Sequence, residues 1–192
     1  LAHEAGHSMH SYFSDEAQSY PKAQYLIFVA EVASTVNEVL MLKHLINKTE
    51  DEAVKKYLLE FFLEQFRTTV FRQTMFAEFE LIAHEHAEKG ESLTREWLCE
   101  TYGGLNKKYY GMSVETDQLI SLEWARIPHF YRAFYVYQYA TGFCAAVAIA
   151  SRILKEGQPA VSDYMKFLSS GGSNAPIELL KLAGVDLSDR IV

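Results

Sequence analysis

Apolar residues recur every three or four positions along most of this chain, which is the period of an α-helix. The segment Tyr57-Leu-Leu-Glu-Phe-Phe-Leu-Glu-Gln-Phe66 shows the pattern, and Phe28 to Glu38 forms another apolar helical stretch. The alternating pattern of β-strands is scarce, and the sequence holds no internal repeat or low-complexity tract. The pattern therefore predicts a mainly α fold, an irregular multi-helix bundle.

Helix boundaries can be predicted from the residues that cap helices. Thr49-Glu-Asp-Glu52 matches a capping box, so we predict a helix from there to about Lys89, ended by Gly90. Glycine and proline bound the other predicted helices. These are a helix from Thr94 through Tyr102 ended by Gly103 and Gly104, an apolar helix from about His129 to Glu156 before Gly157 and Pro159, and a short helix from Pro176 to Gly184.

Composition narrows the class of protein. The 192 residues are 49% hydrophobic and 22% charged, which excludes a disordered chain. The net charge of −7 and the lack of a basic cluster argue against nucleic acid as a partner. The longest apolar run, Phe143 to Ala150, is too short to span a membrane, so no membrane partner is expected. Cys99 and Cys144 form no Cys-x-x-Cys motif, which favours a cytoplasmic location over a disulfide framework.

The strongest chemical signal is His3-Glu-Ala-Gly-His7, which has the pattern His-Glu-x-x-His. On an α-helix, residues four apart share one face with Cβ atoms roughly 5–6 Å apart, so both imidazoles can bind one Zn²⁺. Glu4 lies one step round the helix, beside the water that such an ion would activate. The alternative is a solvated helix that happens to carry two histidines.

A zinc site of this class needs a carboxylate as its third ligand and one open position for water. The apolar stretch after the motif carries Glu31 and Glu38, which are seven residues apart and therefore share a helix face. Carboxylates flanked by valines are costly to bury unless they are paired or bind metal. We predict Glu31 as the third ligand and Glu38 as the acceptor for the N–H of a ligand histidine. The alternative, that both line a solvated groove and bind nothing, stays open.

Several segments resemble the thimet-oligopeptidase family of zinc metallopeptidases, in the expected order and over almost the whole chain. They are His-Glu-Ala-Gly-His-Ser-Met-His-Ser-Tyr-Phe-Ser from His3, Phe-Val-Ala-Glu-Val-Ala-Ser-Thr-Val-Asn-Glu from Phe28, Phe-Arg-Gln-Thr-Met-Phe-Ala-Glu-Phe-Glu from Phe71, Ile127 to Tyr131, Phe134 to Gly142, and Ser170 to Ser173. The resemblance implies part of a zincin-like oligopeptidase catalytic domain, with one zinc ion on His3, His7 and Glu31. It also implies Glu4 as general acid and base, and an oligopeptide substrate of limited length in a deep channel.

Members of that family are several-fold longer than this chain and carry the metal motif in their C-terminal third. We therefore expect residues 1–192 to be the C-terminal portion of the catalytic domain. The absent N-terminal part of the same protein is then the partner that forms the other wall of the channel. The function expected is that of a zinc metalloendopeptidase. The alternative is a folded but inactive apo fragment of that enzyme, which does not bind zinc tightly because its motif helix begins only two residues before His3.

The segment from His129 to Tyr139 is the second candidate for chemistry, because it combines a histidine with several tyrosines. Tyr O–H and His N–H groups stabilise an oxyanion well. The resemblance implies that a histidine and at least one tyrosine here contact the scissile carbonyl or the substrate backbone. We assign His129 and Tyr139 to catalysis, and Tyr131 and Tyr135 to substrate binding. The alternative is that aromatic residues at helical spacing form part of the core.

Other polar residues are assigned no chemistry. His10 is predicted to be solvated, with a position facing the site as the alternative. Glu80, His84 and Glu88 are predicted to form an exposed helix face, with a second metal site as the alternative. Arg72 is a candidate for pairing with a buried carboxylate, whose identity the sequence leaves open. A di-iron carboxylate bundle is a rival class, but it needs two Glu-x-x-His motifs and the sequence has one.

Overall fold

The computed structural model describes residues 1–111, 113–114 and 117–189, and these residues form helices and turns without a β-strand. The predicted mainly α fold is confirmed. The α-helices are α1 (Ala2–Ala17), α2 (Tyr20–Ala23), α3 (Ile27–Lys48), α4 (Glu52–Gln65), α5 (Arg72–Glu88), α6 (Arg95–Tyr110), α7 (Tyr137–Glu156), α8 (Gln158–Leu168) and α9 (Pro176–Leu182). A π-helix, Phe66–Phe71, separates α4 from α5, and Ile120–Arg126 and Pro128–Tyr131 are short 3₁₀-helices. Within this described part of the chain, no helix combines the length and apolar character needed to cross a membrane.

The chain divides into two compact units, each with its own hydrophobic core. Unit 1 comprises residues 1–64 and the residues from 141 on, and unit 2 comprises residues 65–140. The predicted metal ligands therefore lie in unit 1, whereas the aromatic segment of residues 129–139 lies in unit 2.

One face of helix α3 is lined with valines and packs into the core of unit 1. Val29, Val32 and Val36 are buried in a core shared with α7, α8 and α9. Burying one such side chain stabilises a fold by about 1.5–3 kcal/mol. Their partners in this core include Ala145, Ala146, Ile149, Phe167, Leu168, Leu179 and Leu180. This packing fixes the rotation of α3 and hence the direction in which Glu31 and Glu38 lie.

Helix α1 packs closely against α3. A Cβ atom on Gly6 would lie 2.5 Å from the Cα atom of Ser34, so only glycine permits this approach. The Nδ2 atom of Asn37 donates to the carbonyl oxygen of Ala2 at 2.7 Å, which ties the first turn of α1 to α3. These two contacts hold the His-Glu-x-x-His turn against the helix that carries Glu31.

Unit 2 has a core rich in aromatic residues. The rings of Phe79 and Tyr102 meet edge to face with centroids 5.2 Å apart, and the ring of Phe130 lies 5.4 Å from that of Phe79. The buried apolar residues of this core are Met75, Phe76, Phe79, Tyr102, Leu105, Ile127 and Val136. The core therefore joins α5 and α6 to the 3₁₀-helices.

The buried partner of Arg72 is Glu123, whose side chain is 5% exposed. Its carboxylate accepts Nη2–H of Arg72 at 2.6 Å and the hydroxyl of Tyr102 at 2.7 Å, and Arg126 is hydrogen-bonded to it as well. Burial by itself raises the pKa of Glu123. Hydrogen bonds from Arg72 and Tyr102, together with the arginine charges, outweigh burial and hold that pKa below its ordinary value. Arg72 could be identified from the sequence as a candidate for pairing with a buried carboxylate. Its partner, 51 residues away, could not be identified in that way.

The helix predicted from residue 49 to residue 89 is wrong as a single element. Its start lies later, because the carboxylate of Asp51 accepts the backbone N–H of Ala53 at 2.8 Å and caps α4. Its interior is divided by the π-helix, in a stretch whose β-branched residues 68–70 disfavour regular α-helix. The predicted end at Gly90 agrees with the structure, where that glycine has φ +80°.

The helix predicted to end at Gly103 instead continues as α6. Burial of Tyr102 and Leu105 on one of its faces offsets the unfavourable helix propensity of the two glycines. Helix α6 ends at Gly111, which has φ +79° and so adopts the left-handed conformation that favours glycine.

The long apolar helix predicted from about His129 begins only at Tyr137, so this boundary is wrong by two turns. The residues before it form a 3₁₀-helix and a turn in which Phe134 has φ +54°. A non-glycine residue in that conformation interrupts any helix. The predicted ends at Gly157 and Gly184 agree with the structure, where both glycines have positive φ.

Candidate metal centre

His3 and His7 lie on α1 and Glu31 lies on α3, and the contact between these helices brings the three side chains together. The Nε2 atoms of the two histidines are 3.1 Å apart. The Oε2 atom of Glu31 lies 3.5 Å from Nε2 of His3 and 3.9 Å from Nε2 of His7. Among the residues that the structure describes, these three form the one group of His, Cys, Asp or Glu side chains able to share a metal ion.

These distances fit a tetrahedral zinc site. Zinc bonds of about 2.1 Å at tetrahedral angles separate ligand atoms by about 3.4 Å. The triangle of donor atoms in the structure has sides of 3.1, 3.5 and 3.9 Å. Two imidazoles and one carboxylate are also the donors of one class of catalytic zinc site. Each of the three side chains is partly exposed, so the group is open to solvent.

Two neighbouring residues orient these side chains. The hydroxyl of Ser34 donates to the backbone carbonyl of Glu31 at 2.9 Å and lies 3.4 Å from its Oε2 atom. The Oε1 atom of Glu38 lies 3.4 Å from Nδ1 of His3. A proton on Nδ1 that faces Glu38 leaves the Nε2 lone pair of His3 free for a metal. The geometry is the one predicted for Glu38, although its role stays a prediction.

Glu4 lies in the first turn of α1, and its side chain is exposed. A carboxylate near a helix N-terminus is favoured by the helix dipole. An exposed carboxylate in this position is accessible to water, as proton transfer requires, and its role as general acid and base stays a prediction.

An apolar hollow borders His3 and Glu38. It has a volume of about 300 Å³ and lies between the start of α1, α3 and α4. Its apolar walls come from Met41, Leu42, Leu45, Tyr57, Leu58 and Phe61. The candidate ligands therefore have an apolar surface beside them.

The aromatic residues assigned to substrate and oxyanion lie in unit 2, and three of them cluster. The ring of His129 has its centroid 6.0 Å from those of both Tyr135 and Tyr139, which are 5.6 Å from each other. The guanidinium of Arg132 lies 4.8 Å above the ring of Tyr135. Tyr131 is 89% exposed. The structure thus groups His129, Tyr135 and Tyr139, and their roles stay predictions.

The prediction that His10 is solvated is wrong, because its side chain is 1% exposed. Its ring stacks on that of Tyr25 with centroids 3.7 Å apart. Burial, followed by the nearby His7, lowers the pKa of His10 to about 4. A sequence signal was available, because Gly6 and Ser14, four residues to either side, are small and mark the buried face of α1.

The prediction of one exposed face on α5 is also wrong for Glu80. This carboxylate is 5% exposed and accepts the backbone N–H of Phe134 at 2.7 Å. His84 is half-buried, with its ring centroid 4.6 Å from that of Phe134, whereas Glu88 is exposed as predicted. The contact with Phe134 spans 54 residues and has no local signal in the sequence.

The fold and the motif together define a helical domain with a candidate metal centre on His3, His7 and Glu31. The model of Peptidase family M3 matches residues 1–190, and the chain belongs to that family. The resemblance found in the sequence is thereby confirmed, and it is similarity to oligoendopeptidase F in particular.

Named relatives and a solved structure agree with this assignment. The chain is 57% identical to the oligopeptidase PepF of Bacillus subtilis over 98% of its length, and 49% identical to an oligoendopeptidase F homologue of Borreliella burgdorferi over 99%. It matches the crystal structure of oligoendopeptidase-F from Enterococcus faecium with a TM-score of 0.88 and 48% identity over 98% of the chain. The chain spans 28% and 32% of the lengths of those two relatives and 34% of that structure.

Proposed function

We propose that this chain carries the metal centre of a zinc metalloendopeptidase that hydrolyses short oligopeptides. The observation that supports this most is the approach of the Nε2 atoms of His3 and His7 and the Oε2 atom of Glu31 to within 3.1–3.9 Å of one another. The names of the relatives, oligopeptidase and oligoendopeptidase, favour oligopeptides as the substrate. The free thiols Cys99 and Cys144 favour a cytoplasmic location.

One zinc ion per chain would be held by His3, His7 and Glu31. Zinc in such a site lowers the pKa of water towards 7 and polarises the carbonyl that is attacked. Glu38 keeps the ring of His3 in the orientation that presents Nε2, since its carboxylate lies 3.4 Å from Nδ1.

Glu4 moves the proton in this mechanism. Its exposed carboxylate on α1 accepts a proton from the attacking water and returns it to the nitrogen of the leaving amine. A general acid and base of this kind contributes a factor of about 10² to 10⁴ to the rate.

The proposed contacts with the substrate come from the segment of residues 129–139. His129 and Tyr139 would donate N–H and O–H to the oxyanion, and Tyr131 and Tyr135 would contact the peptide. The grouping of His129, Tyr135 and Tyr139 within 6.0 Å, measured between ring centroids, supports a joint role for these three.

In a second candidate state, this chain is folded, does not bind zinc tightly and cleaves nothing. This state is favoured by the length of the chain, which spans about a third of the length of its relatives. The remaining two thirds of such a protein would then be needed to complete the channel.

The test compares the chain with its Glu4→Gln variant, using a fluorescence-quenched oligopeptide and elemental analysis of the same samples. We expect the variant to keep its zinc and to lose at least about 100-fold in kcat/KM. Glu16→Gln, which changes an exposed carboxylate on the same helix, is the matched control and should cleave like the unmodified chain. Activity retained by Glu4→Gln would remove Glu4 from this role. A folded, zinc-free chain without turnover would favour the second candidate.

A further inference from the structure

Unit 2 contains a cavity of its own, with a volume of about 550 Å³. It lies between α5, α6 and the two 3₁₀-helices. Most of its wall is apolar and comes from Phe79, Ala83, Leu98, Trp124, Ile127 and Phe130. The volume falls within the range of about 300–1,000 Å³ typical of small-molecule sites.

Glu80 is the anionic group in this wall. Its side chain is buried, and its Oε1 atom accepts one neutral donor, the backbone N–H of Phe134, at 2.7 Å. A buried carboxylate is costly unless charge or further donors compensate it. Among the described residues that line the cavity, none is Lys or Arg, and the other titratable side chains are His84 and Tyr131. The cavity therefore presents a negative group suited to a cationic ligand.

Trp124 contributes the apolar surface of its ring to the wall. Its indole Nε1 atom is buried and has no hydrogen-bond partner within the part of the chain that the structure describes. An indole N–H that is shielded from solvent in this way offers the cavity no accessible donor. Phe79 and Phe130 add aromatic surface to the wall, which favours an apolar group in the cavity.

We propose that this cavity binds the N-terminal residue of a peptide that begins with a large apolar side chain. The α-ammonium group would pair with Glu80, and the side chain would fill the apolar volume. No bond is made or broken in this step, and it needs no metal. Binding at this cavity is therefore separate from the proposed peptidase chemistry and does not depend on zinc.

A purely structural role for Glu80 is the alternative that an experiment must exclude. Glu80 holds the turn at Phe134, which has the left-handed φ of +54°. Replacing Glu80 with Gln keeps an oxygen that can accept the Phe134 N–H and removes the charge. This variant therefore separates the two roles.

The experiment measures binding of phenylalaninamide and of N-acetylphenylalaninamide to the whole chain by saturation-transfer NMR, with EDTA present throughout. The two probes share the aromatic side chain and the carbonyl, but only the first carries an ammonium group. We expect saturable binding of phenylalaninamide and at least tenfold weaker binding of the acetylated probe. Because the metal is chelated, the result is independent of whether the zinc proposal holds.

Glu80→Gln should weaken phenylalaninamide binding at least tenfold. Glu88→Gln, an exposed carboxylate on the same helix, should leave that binding within twofold of the original. Ala83→Leu should fill the cavity and weaken binding of both probes, and circular dichroism would verify that each variant is folded.

Three results would overturn the proposal. They are equal affinity for the two probes, unchanged phenylalaninamide binding in a folded Glu80→Gln variant, and no saturable binding to the original chain. Should Glu80→Gln fail to fold, the comparison of the two probes on the original chain still decides the matter.

Discussion

Carboxylates in the two units have opposite surroundings. In unit 2, the side chain of Glu123 is 5% exposed and is bonded to Arg72, Arg126 and Tyr102. In unit 1, Glu31 and Glu38 are 36% and 33% exposed and face imidazole nitrogens at 3.4–3.9 Å. Both groups lie beside hydrophobic cores, so apolar surroundings alone do not explain the difference.

This difference separates carboxylates that stabilise the fold from carboxylates that remain available to bind a ligand or a proton. Short bonds from two guanidinium groups and a hydroxyl satisfy Glu123 within the protein, so it holds helices together. Glu31 and Glu38 lie at longer distances from their imidazole partners and remain partly exposed to solvent. Such a group can accept a further positive partner, which is what a metal ligand requires.

The largest expected effect comes from breaking the satisfied carboxylate. Glu123→Gln removes the charge that pairs with Arg72, and we expect the free energy of unfolding to fall by about 4 kcal/mol in urea denaturation at pH 7. Glu78→Gln, which weakens a surface pair with Lys108, is the control and should cost less than about 1 kcal/mol. Similar losses for the two variants would mean that Glu123 holds no special place in the fold.

A somewhat smaller effect is expected at the backbone contact on which the metal centre depends. Gly6→Ala would place a Cβ atom 2.5 Å from the Cα atom of Ser34, so α1 must shift away from α3. We expect a loss of about 3 kcal/mol in the free energy of unfolding and weaker zinc binding, since the histidines move from Glu31.

Gly142→Ala is the matched control for that prediction. It is a helical glycine whose added Cβ meets no atom within 4 Å. Better helix propensity should leave this variant as stable as the original or more stable, by up to about 1 kcal/mol. Equal behaviour of the two glycine variants would contradict the close packing of α1 on α3.

The smallest expected effect is a loss in the free energy of unfolding at acidic pH that is caused by His10. Its pKa is lowered to about 4 in the folded chain, so the unfolded chain binds the proton more readily as the pH falls below the ordinary value for histidine. Burial of His10 therefore costs little free energy of unfolding at neutral pH, and the free energy of unfolding declines as the pH falls. For this one group we expect a loss of about 2 kcal/mol between pH 7 and pH 5.

The measurement for His10 is urea denaturation at both pH values, with a chelator present. A His10→Phe variant keeps a ring for stacking on Tyr25 and should show a smaller difference between the two pH values than the original chain. A pH dependence that is unchanged in this variant would assign the acid sensitivity to other groups.

Part of the candidate site could be predicted because local spacing determines which side chains share a helix face. A separation of four places His3 and His7 on one helix face, and a separation of seven places Glu31 and Glu38 on another. In the structure, the carboxylates of both glutamates lie within 4 Å of an imidazole nitrogen. The mainly α fold was predictable for the same reason, since periodicity is a local property.

Contacts between distant residues could not be predicted in this way. Glu80 meets Phe134 across 54 residues and Arg72 meets Glu123 across 51, and no spacing rule reaches that far. The same limit explains the wrong helix boundaries. Helix α6 continues beyond Gly103 because its residues are buried in the tertiary structure, and α7 begins only after the turn at Phe134.

The most direct test of the central claim is the zinc content per chain after zinc loading and gel filtration, measured by elemental analysis on this chain and on His7→Ala. We expect one zinc ion per chain in the original and almost none in the variant, because the triangle of donor atoms loses one corner. Equal zinc in both, or none in either while circular dichroism shows both folded, would contradict a metal centre on His3, His7 and Glu31.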